Sequence, residues 1–202
     1  MSRSGRVQGW ADSPLTDAGR ATATTVGINL GKEIGRVDKV CSGDMMRHYE
    51  TAQLMAQGMR AKKGITKDPA LREMNFGGWE GESNLTMQKA VLAKLGTGTF
   101  TIRQMLEAIK DTNPVPAMPA ENCDDINARA LPAMDDIAKD AADGSGGKKV
   151  LVVTSGITIA CMLDSMGSAI PATGIANGAV NLLEYNNGTW TVKTVNDTHY
   201  AG

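Results

Sequence analysis

V-L-V-V-T-S-G-I-T-I-A, Val150 to Ala160, is the stretch whose reading decides the fold. Four apolar residues run straight into Thr154, Ser155 and Gly156, and a helical pattern then takes over. A strand that feeds a helix through a small polar turn is the repeating unit of α/β proteins, and open α/β sheets take their ligands beyond the carboxyl ends of such strands. Ser155 stands at that tip. As a nucleophile it needs a base, and T-S-G-I is not the G-x-S-x-G elbow of the hydrolases. As a structural residue it caps the following helix.

The same alternation recurs upstream. Leu15-Thr16-Asp17 opens a helix with Thr16 as its N-cap, and Val26, Ile28 and Leu30 supply the apolar positions. Val37 to Ser42 reads as a short buried strand, closed by Ser42-Gly43-Asp44 and followed by a helical pattern from Met45 to Met59. Asp68-Pro69 breaks the chain before an irregular, glycine-rich loop, L-R-E-M-N-F-G-G-W-E-G, Leu71 to Gly81. Residues 84 to 110 read as two short helices interrupted at Gly96 and Gly98, and N-P-V-P-A-M-P is a linker. Glu121 to Ala142 reads as a helix with Ile126, Arg129, Ala130, Ala133 and Ile137 along one stripe and a kink expected at Pro132. Asp143-Gly-Ser-Gly-Gly ends it. After the decisive stretch come two strands, Ala179 to Tyr185 and Thr189 to Val195, joined by the hairpin signal Asn186-Asn187-Gly188.

This order predicts an α/β fold: a doubly wound, mostly parallel sheet with helices on both faces, ending in an antiparallel edge hairpin. It forms a single domain over residues 1–202, with residues 71–120 inserted over the active-site end. The first helix has no strand before it, although a doubly wound unit wants one. That unpaired sheet position invites association between copies of the chain.

Composition excludes several classes of function. Hydrophobic residues make up 42% and charged residues 21% of the 202, ordinary for a soluble globule. A net charge of -1 leaves no electrostatic footprint for nucleic acid or an acidic membrane surface. Thr154, Ser155, Gly156 and Asp164 interrupt the longest apolar stretch, so no membrane span is expected. Cys41, Cys123 and Cys161 are odd in number and lack C-x-x-C spacing, against a disulfide framework or a zinc site and in favour of a reducing, cytoplasmic compartment. M-S-R-S-G-R has no apolar run of a signal peptide.

Two strands end in polar residues followed by helix starts, S-G-D-M-M-R (Ser42 to Arg47) and T-S-G (Thr154 to Gly156). Helix N-termini present unpaired N–H groups and a partial positive charge, which suits an anion. Arg47 adds a planar guanidinium matched to phosphate oxygens, and Glu73 on the glycine-rich loop adds a proton donor. The alternatives are a surface role for Arg47, and Glu80 or Glu82 as the acid. Together these groups describe a phosphate-ester pocket that lacks a nucleophile.

These segments resemble the histidine phosphatase superfamily, with its phosphoglycerate mutase-like fold. G-R-V-Q-G-W-A-D-S-P-L-T-D-A-G-R (Gly5 to Arg20) resembles the stretch that follows that family's catalytic R-H-G. C-S-G-D-M-M-R-H-Y-E-T-A (Cys41 to Ala52) resembles its second-arginine segment, and L-R-E-M-N-F-G-G-W-E-G the loop that carries its acid. V-L-V-V-T-S-G-I-T-I resembles the strand that normally reads S-H-G. The resemblance implies phosphomonoester chemistry without metal or cofactor. A histidine attacks phosphorus, arginines and a second histidine hold the oxygens, and a carboxylic acid protonates the leaving group. It implies Arg47, Ser155 and Gly156 as the phosphate-binding residues and Glu73 as the catalytic acid. Gln8, Gly9, Ser13 and Thr16 would line the pocket mouth, although turn-forming and capping roles also fit Gly9, Ser13 and Thr16. The expected partner is a small phosphorylated substrate or ligand.

Two departures touch the catalytic machinery. The R-H-G and its central strand would precede Met1, which reads as an N-terminal truncation, and Ser155 occupies the second histidine's place. The two histidines of the chain, His48 and His199, do not replace the nucleophile: His48 reads as a partly exposed helix residue whose side chain diverges from Arg47 by about 100°. The expectations are therefore a phosphatase-like protein short of its nucleophile, or a pseudophosphatase that binds a phosphorylated ligand.

Overall fold

Lys39–Ser42 (β1) runs between Ile65–Lys67 (β2) and Val150–Val153 (β3) in a three-stranded parallel sheet. In this computed structural model, which describes residues 5–61, 64–142, 144 and 146–202, Val40 pairs with Ile65 on one side and Leu151 on the other. The strands are apolar on both faces because both are covered. Val40, Leu151 and Val153 pack with Val26, Leu30 and Met55, whereas Cys41, Val150 and Val152 pack with Ala130, Met134, Ile137 and Met162.

The helices are Asp17–Glu33 (α1), Met46–Gly58 (α2), Asn84–Leu95 (α3), Ile102–Asp111 (α4), Cys123–Ala141 (α5) and Gly156–Ser165 (α6). Thr16 caps α1 as its sequence predicts, its hydroxyl accepting the Gly19 N–H at 3.1 Å. The helices α1 and α2 approach backbone to backbone. A Cβ on Gly58 would lie 2.4 Å from the Gly27 carbonyl carbon, and one on Gly27 would lie 2.5 Å from Met55 Cα. Only hydrogen fits at either position. On the other face α5 runs through Pro132 as one helix and lies against α6. A third apolar cluster, containing Val7, Met74, Phe76, Trp79, Leu106, Ile109 and Ile126, sits beneath α4 and the loop of residues 71–81.

Two features differ from the sequence expectation. The strand β2 carried no readable signal, because it is three residues long and only Ile65 is withdrawn from solvent. The hairpin of Val180–Asn186 (β4) and Thr189–Asp197 (β5) is antiparallel, but among the described residues it forms its own two-stranded sheet and is not the edge of the parallel one. Local turn chemistry specifies a hairpin, but it does not specify the edge on which the hairpin lands. Among the described residues no strand precedes α1, but the chain there is anchored: Arg6 bridges Ser83, and Val7 exchanges backbone hydrogen bonds with Gly81 and Glu82. Of the readings at the chain start and at Asp143–Gly147, residues 1–4, Asp143 and Ser145 lie outside the described residues. Among the described residues no helix is long and apolar enough to cross a membrane.

Candidate active site

The carboxyl ends of β1 and β3 open on a cavity of about 1280 Å³ whose lining includes Arg47, His48, Glu73, Ser155 and Gly156. Gln8, Ser13 and Thr16 also line it, as do Asn84, Met87 and Phe100 from the inserted segment. Gly9 lies behind this wall: it is buried, and a Cβ there would stand 1.9 Å from the Met74 carbonyl oxygen.

Glu73 is held from every side. Its carboxyl oxygens accept the backbone N–H groups of Met74, Ile157 and Thr158 at 2.9, 3.3 and 3.1 Å. Burial outweighs these contacts and pushes its pKa above the usual carboxylate range, which favours a protonated acid. The neighbouring carbonyls are tied as well. Leu71 O accepts from the Thr154 hydroxyl at 2.6 Å, Arg72 O from the Thr158 hydroxyl at 2.8 Å, and Glu73 O from Trp10 Nε1 at 2.9 Å. Arg129 reaches in from α5 and donates to the carbonyls of Ala70, Arg72 and Glu73 while its fork grips Glu121. The acid therefore rides on a rigid loop, and Arg129, read in the sequence as one position of an apolar stripe, is what fastens it.

Glu80, a rival for the acid, is committed elsewhere. Its carboxylate accepts the backbone N–H groups of Gly9, Trp10, Ala11 and Phe76, which fixes the loop ahead of α1.

Arg47 lines the cavity, yet its terminal nitrogens donate to the carbonyls of Gly9 at 2.6 Å and Ala11 at 3.3 Å, with Asp12 at 3.6 Å. The expectation of free helix N-termini is corrected at both strand ends. Asp12 accepts the Met46 N–H of α2 at 2.8 Å, and Glu73 takes those of Ile157 and Thr158 in α6. Carboxyl groups of the chain itself satisfy the unpaired N–H groups of a helix start as well as an external anion does.

His48 is also corrected. It is 3% exposed, and its Nε2 shares a hydrogen bond of 2.5 Å with Ser155 Oγ across the cavity floor. Burial, reinforced by Arg47, lowers its pKa to about 4, so the imidazole is neutral at pH 7. The angular divergence of adjacent helix positions does not separate Arg47 from His48 here, because the cavity wraps the first turn of α2. Ser155 occupies the N-cap position of α6 but makes no capping hydrogen bond there. His199 sits instead near the C-terminus, between Asp197 and Glu33, which raise its pKa. Cys41, Cys123 and Cys161 are all buried and free.

The chain is an α/β protein whose parallel sheet gathers a buried acid, a guanidinium and a neutral imidazole at its carboxyl edge. The chain belongs to the histidine phosphatase superfamily (branch 1), which it matches over residues 1–198. It is 32% identical to a solved phosphoglycerate mutase from Bacillus anthracis, with a TM-score of 0.88 over 98% of this chain and 88% of that one. It is 28% identical to phosphoglycerate mutase-like protein 4 of Arabidopsis thaliana, covering 96% of this chain and 79% of that protein. A metal-independent phosphoserine phosphatase from the same plant is 26% identical over 97% of this chain and 76% of its own length.

Proposed function

We propose that this cavity receives the phosphoryl group of a small phosphomonoester, with Arg47 and the Ser155 hydroxyl as ligands of the phosphoryl oxygens and Glu73 as the acid that protonates the leaving group. The observation that carries the reading is the placement of Glu73. A buried carboxyl with a raised pKa lines the same cavity as a guanidinium, and its protonated form is what leaving-group departure requires. The phosphatases and mutases among the relatives support the same class of substrate.

Hydrolysis through a phosphohistidine needs an imidazole aimed at phosphorus. Among the described residues the cavity holds one imidazole, His48, and its Nε2 is engaged with Ser155. The residues described here thus bind the ester, and phosphoryl transfer by the family route requires an R-H-G imidazole facing them. A second reading, a pseudophosphatase that holds a phosphorylated ligand without turnover, is favoured by Ser155 itself, a replacement inside the chain at the family's second histidine position.

Thermal unfolding of the chain with inorganic phosphate or vanadate tests the pocket. Stabilisation by several degrees that is lost in Arg47→Ala is expected. An unchanged transition with both anions overturns the reading. Steady release of phosphate from p-nitrophenyl phosphate that disappears in His48→Gln would show that His48 is the phosphoryl acceptor and would overturn binding without turnover.

A further inference from the structure

The geometry points to Ser155 and His48 as a nucleophile–base pair that opens small, uncharged, activated carboxylic esters through an acyl-serine. This activity is separate from the phosphate reading and does not rest on it. Three observations meet at one point. Ser155 Oγ and His48 Nε2 share a hydrogen bond of 2.5 Å, the reach that a base needs to take a serine proton. Both residues line the large cavity, so an ester can approach the hydroxyl. Ser155 also stands between β3 and α6, and the next N–H, that of Gly156, begins the helix where no intrahelical acceptor exists. A strand, a serine and a helix whose first N–H lacks an intrahelical acceptor are the working parts of an esterase turn without its sequence signature.

The state of the histidine fits this role. His48 is neutral at pH 7, and with its proton on Nδ1 the Nε2 lone pair is free to accept from Ser155. Nδ1 is buried without a hydrogen-bond partner among the described residues and lies against Gly43, where a Cβ would come within 2.1 Å of it. Among the described residues no carboxylate hydrogen-bonds the ring from behind. The pair is a dyad with a weak base, which confines it to esters with good leaving groups. The electrophile is uncharged for a related reason. The dyad itself carries no charge, since the desolvated imidazole and the hydroxyl are both neutral.

In the reaction, Ser155 Oγ bonds the carbonyl carbon as its proton passes to His48 Nε2, and the Gly156 N–H receives the oxyanion. The bond to the leaving alcohol then breaks, and the alcohol departs with the proton from Nε2. Water adds to the acyl-serine by the same transfers, releasing the acid and restoring the hydroxyl.

Diisopropyl fluorophosphate, which traps serines activated in this way, tests the pair on the full chain. The expected result is a single adduct, located by mass spectrometry on Ser155 and absent from Ser155→Ala. His48→Gln, which keeps a hydrogen-bond partner but no base of comparable strength, should label at least about 10-fold more slowly. His48→Asn gives the same comparison with a smaller side chain. With p-nitrophenyl acetate, the wild-type chain should release one nitrophenolate per chain in a burst that Ser155→Ala lacks. Absence of an adduct on the wild-type chain, an adduct elsewhere, or a rate on Ser155 that is indifferent to both His48 variants would overturn the proposal.

Discussion

Glu73 Oε1 accepts the Thr158 backbone N–H at 3.1 Å and lies 3.3 Å from the Thr158 hydroxyl, so the acid of the candidate site is also the cap of α6. One carboxyl group joins the glycine-rich loop to the helix that follows β3. On the proposed reading chemistry and stability meet at this residue, and substitutions separate them by degree.

Glu73→Ala leaves the Ile157 and Thr158 N–H groups without their acceptor and should cost about 2–4 kcal/mol in urea unfolding. Glu73→Gln retains a carbonyl oxygen and should cost about 1 kcal/mol. Equal losses would show that the packing of the side chain, and not its hydrogen bonds, holds the helix start. The raised pKa has a definite sign. The native state holds this proton more tightly than the unfolded chain, so Glu73's contribution is complete below the usual carboxylate range. It declines as pH rises through the native value. Glu73→Gln should remove that decline.

His48 has the opposite sign. Its pKa is depressed from 6.5 to about 4 by burial and Arg47, against the opposing charges of Asp12 and Asp44, so the native state resists protonation. The stability it contributes is complete above about pH 6.5 and is lost as pH falls toward 4. The shift corresponds to about 3 kcal/mol across that window. Unfolding free energies of the wild type and His48→Gln at pH 7 and pH 4.5 check it, because the difference between the two proteins should shrink by about 2 kcal/mol at the lower pH. A constant difference would mean that His48 titrates normally.

The parts of this protein that were legible in the sequence are those with a local signal. β3 and α6 announce themselves by an apolar run ending in T-S-G, α1 by the Thr16 cap, and the hairpin by Asn187-Gly188. Of the two candidate acids Glu73 and Glu80, the structure shows Glu80 consumed by four backbone N–H groups and Glu73 buried at the cavity. What was illegible depends on distance in space. The partnership of His48 with Ser155 spans 107 positions, and helix geometry alone argued against a role for His48. Arg129 serves carbonyls 56 to 59 residues away. Asp12 and Glu73 at the two helix starts were invisible because any carboxylate satisfies a helix N-terminus, and nothing local says which one arrives.

Gly58 and Gly27 provide a test of the α1–α2 contact that is independent of the site. A Cβ on Gly58 would stand 2.4 Å from the Gly27 carbonyl carbon and 2.5 Å from the Ile28 nitrogen, both of them backbone atoms that cannot rotate aside. Gly58→Ala must push the helices apart and should cost about 1–3 kcal/mol, seen as a fall in Tm of several degrees. Gly64→Ala meets nothing within 4 Å among the described residues and should stay within about 0.5 kcal/mol of the wild type. Comparable losses for the two variants would refute close helix packing as the reason for glycine at Gly58.

Arg129 makes the last prediction, because it links α5 to the acid without touching the cavity. Its Nε and one terminal nitrogen bind Glu121 at 2.8 Å each, and its terminal nitrogens donate to Ala70 O at 2.6 Å, Arg72 O at 2.9 Å and Glu73 O at 2.9 Å. Lysine preserves the charge but not the planar fork, so Arg129→Lys can serve only part of this set. It should lose about 1–3 kcal/mol of stability, and Arg129→Ala, which strands a half-buried Glu121 as well, should lose about 3–5 kcal/mol. Amide exchange locates the effect: Leu71 and Arg72 should exchange faster in Arg129→Lys while Val40 and Cys41 in β1 keep their protection. Uniform acceleration across the sheet would mean that Arg129 supports the whole fold and not the loop that carries Glu73.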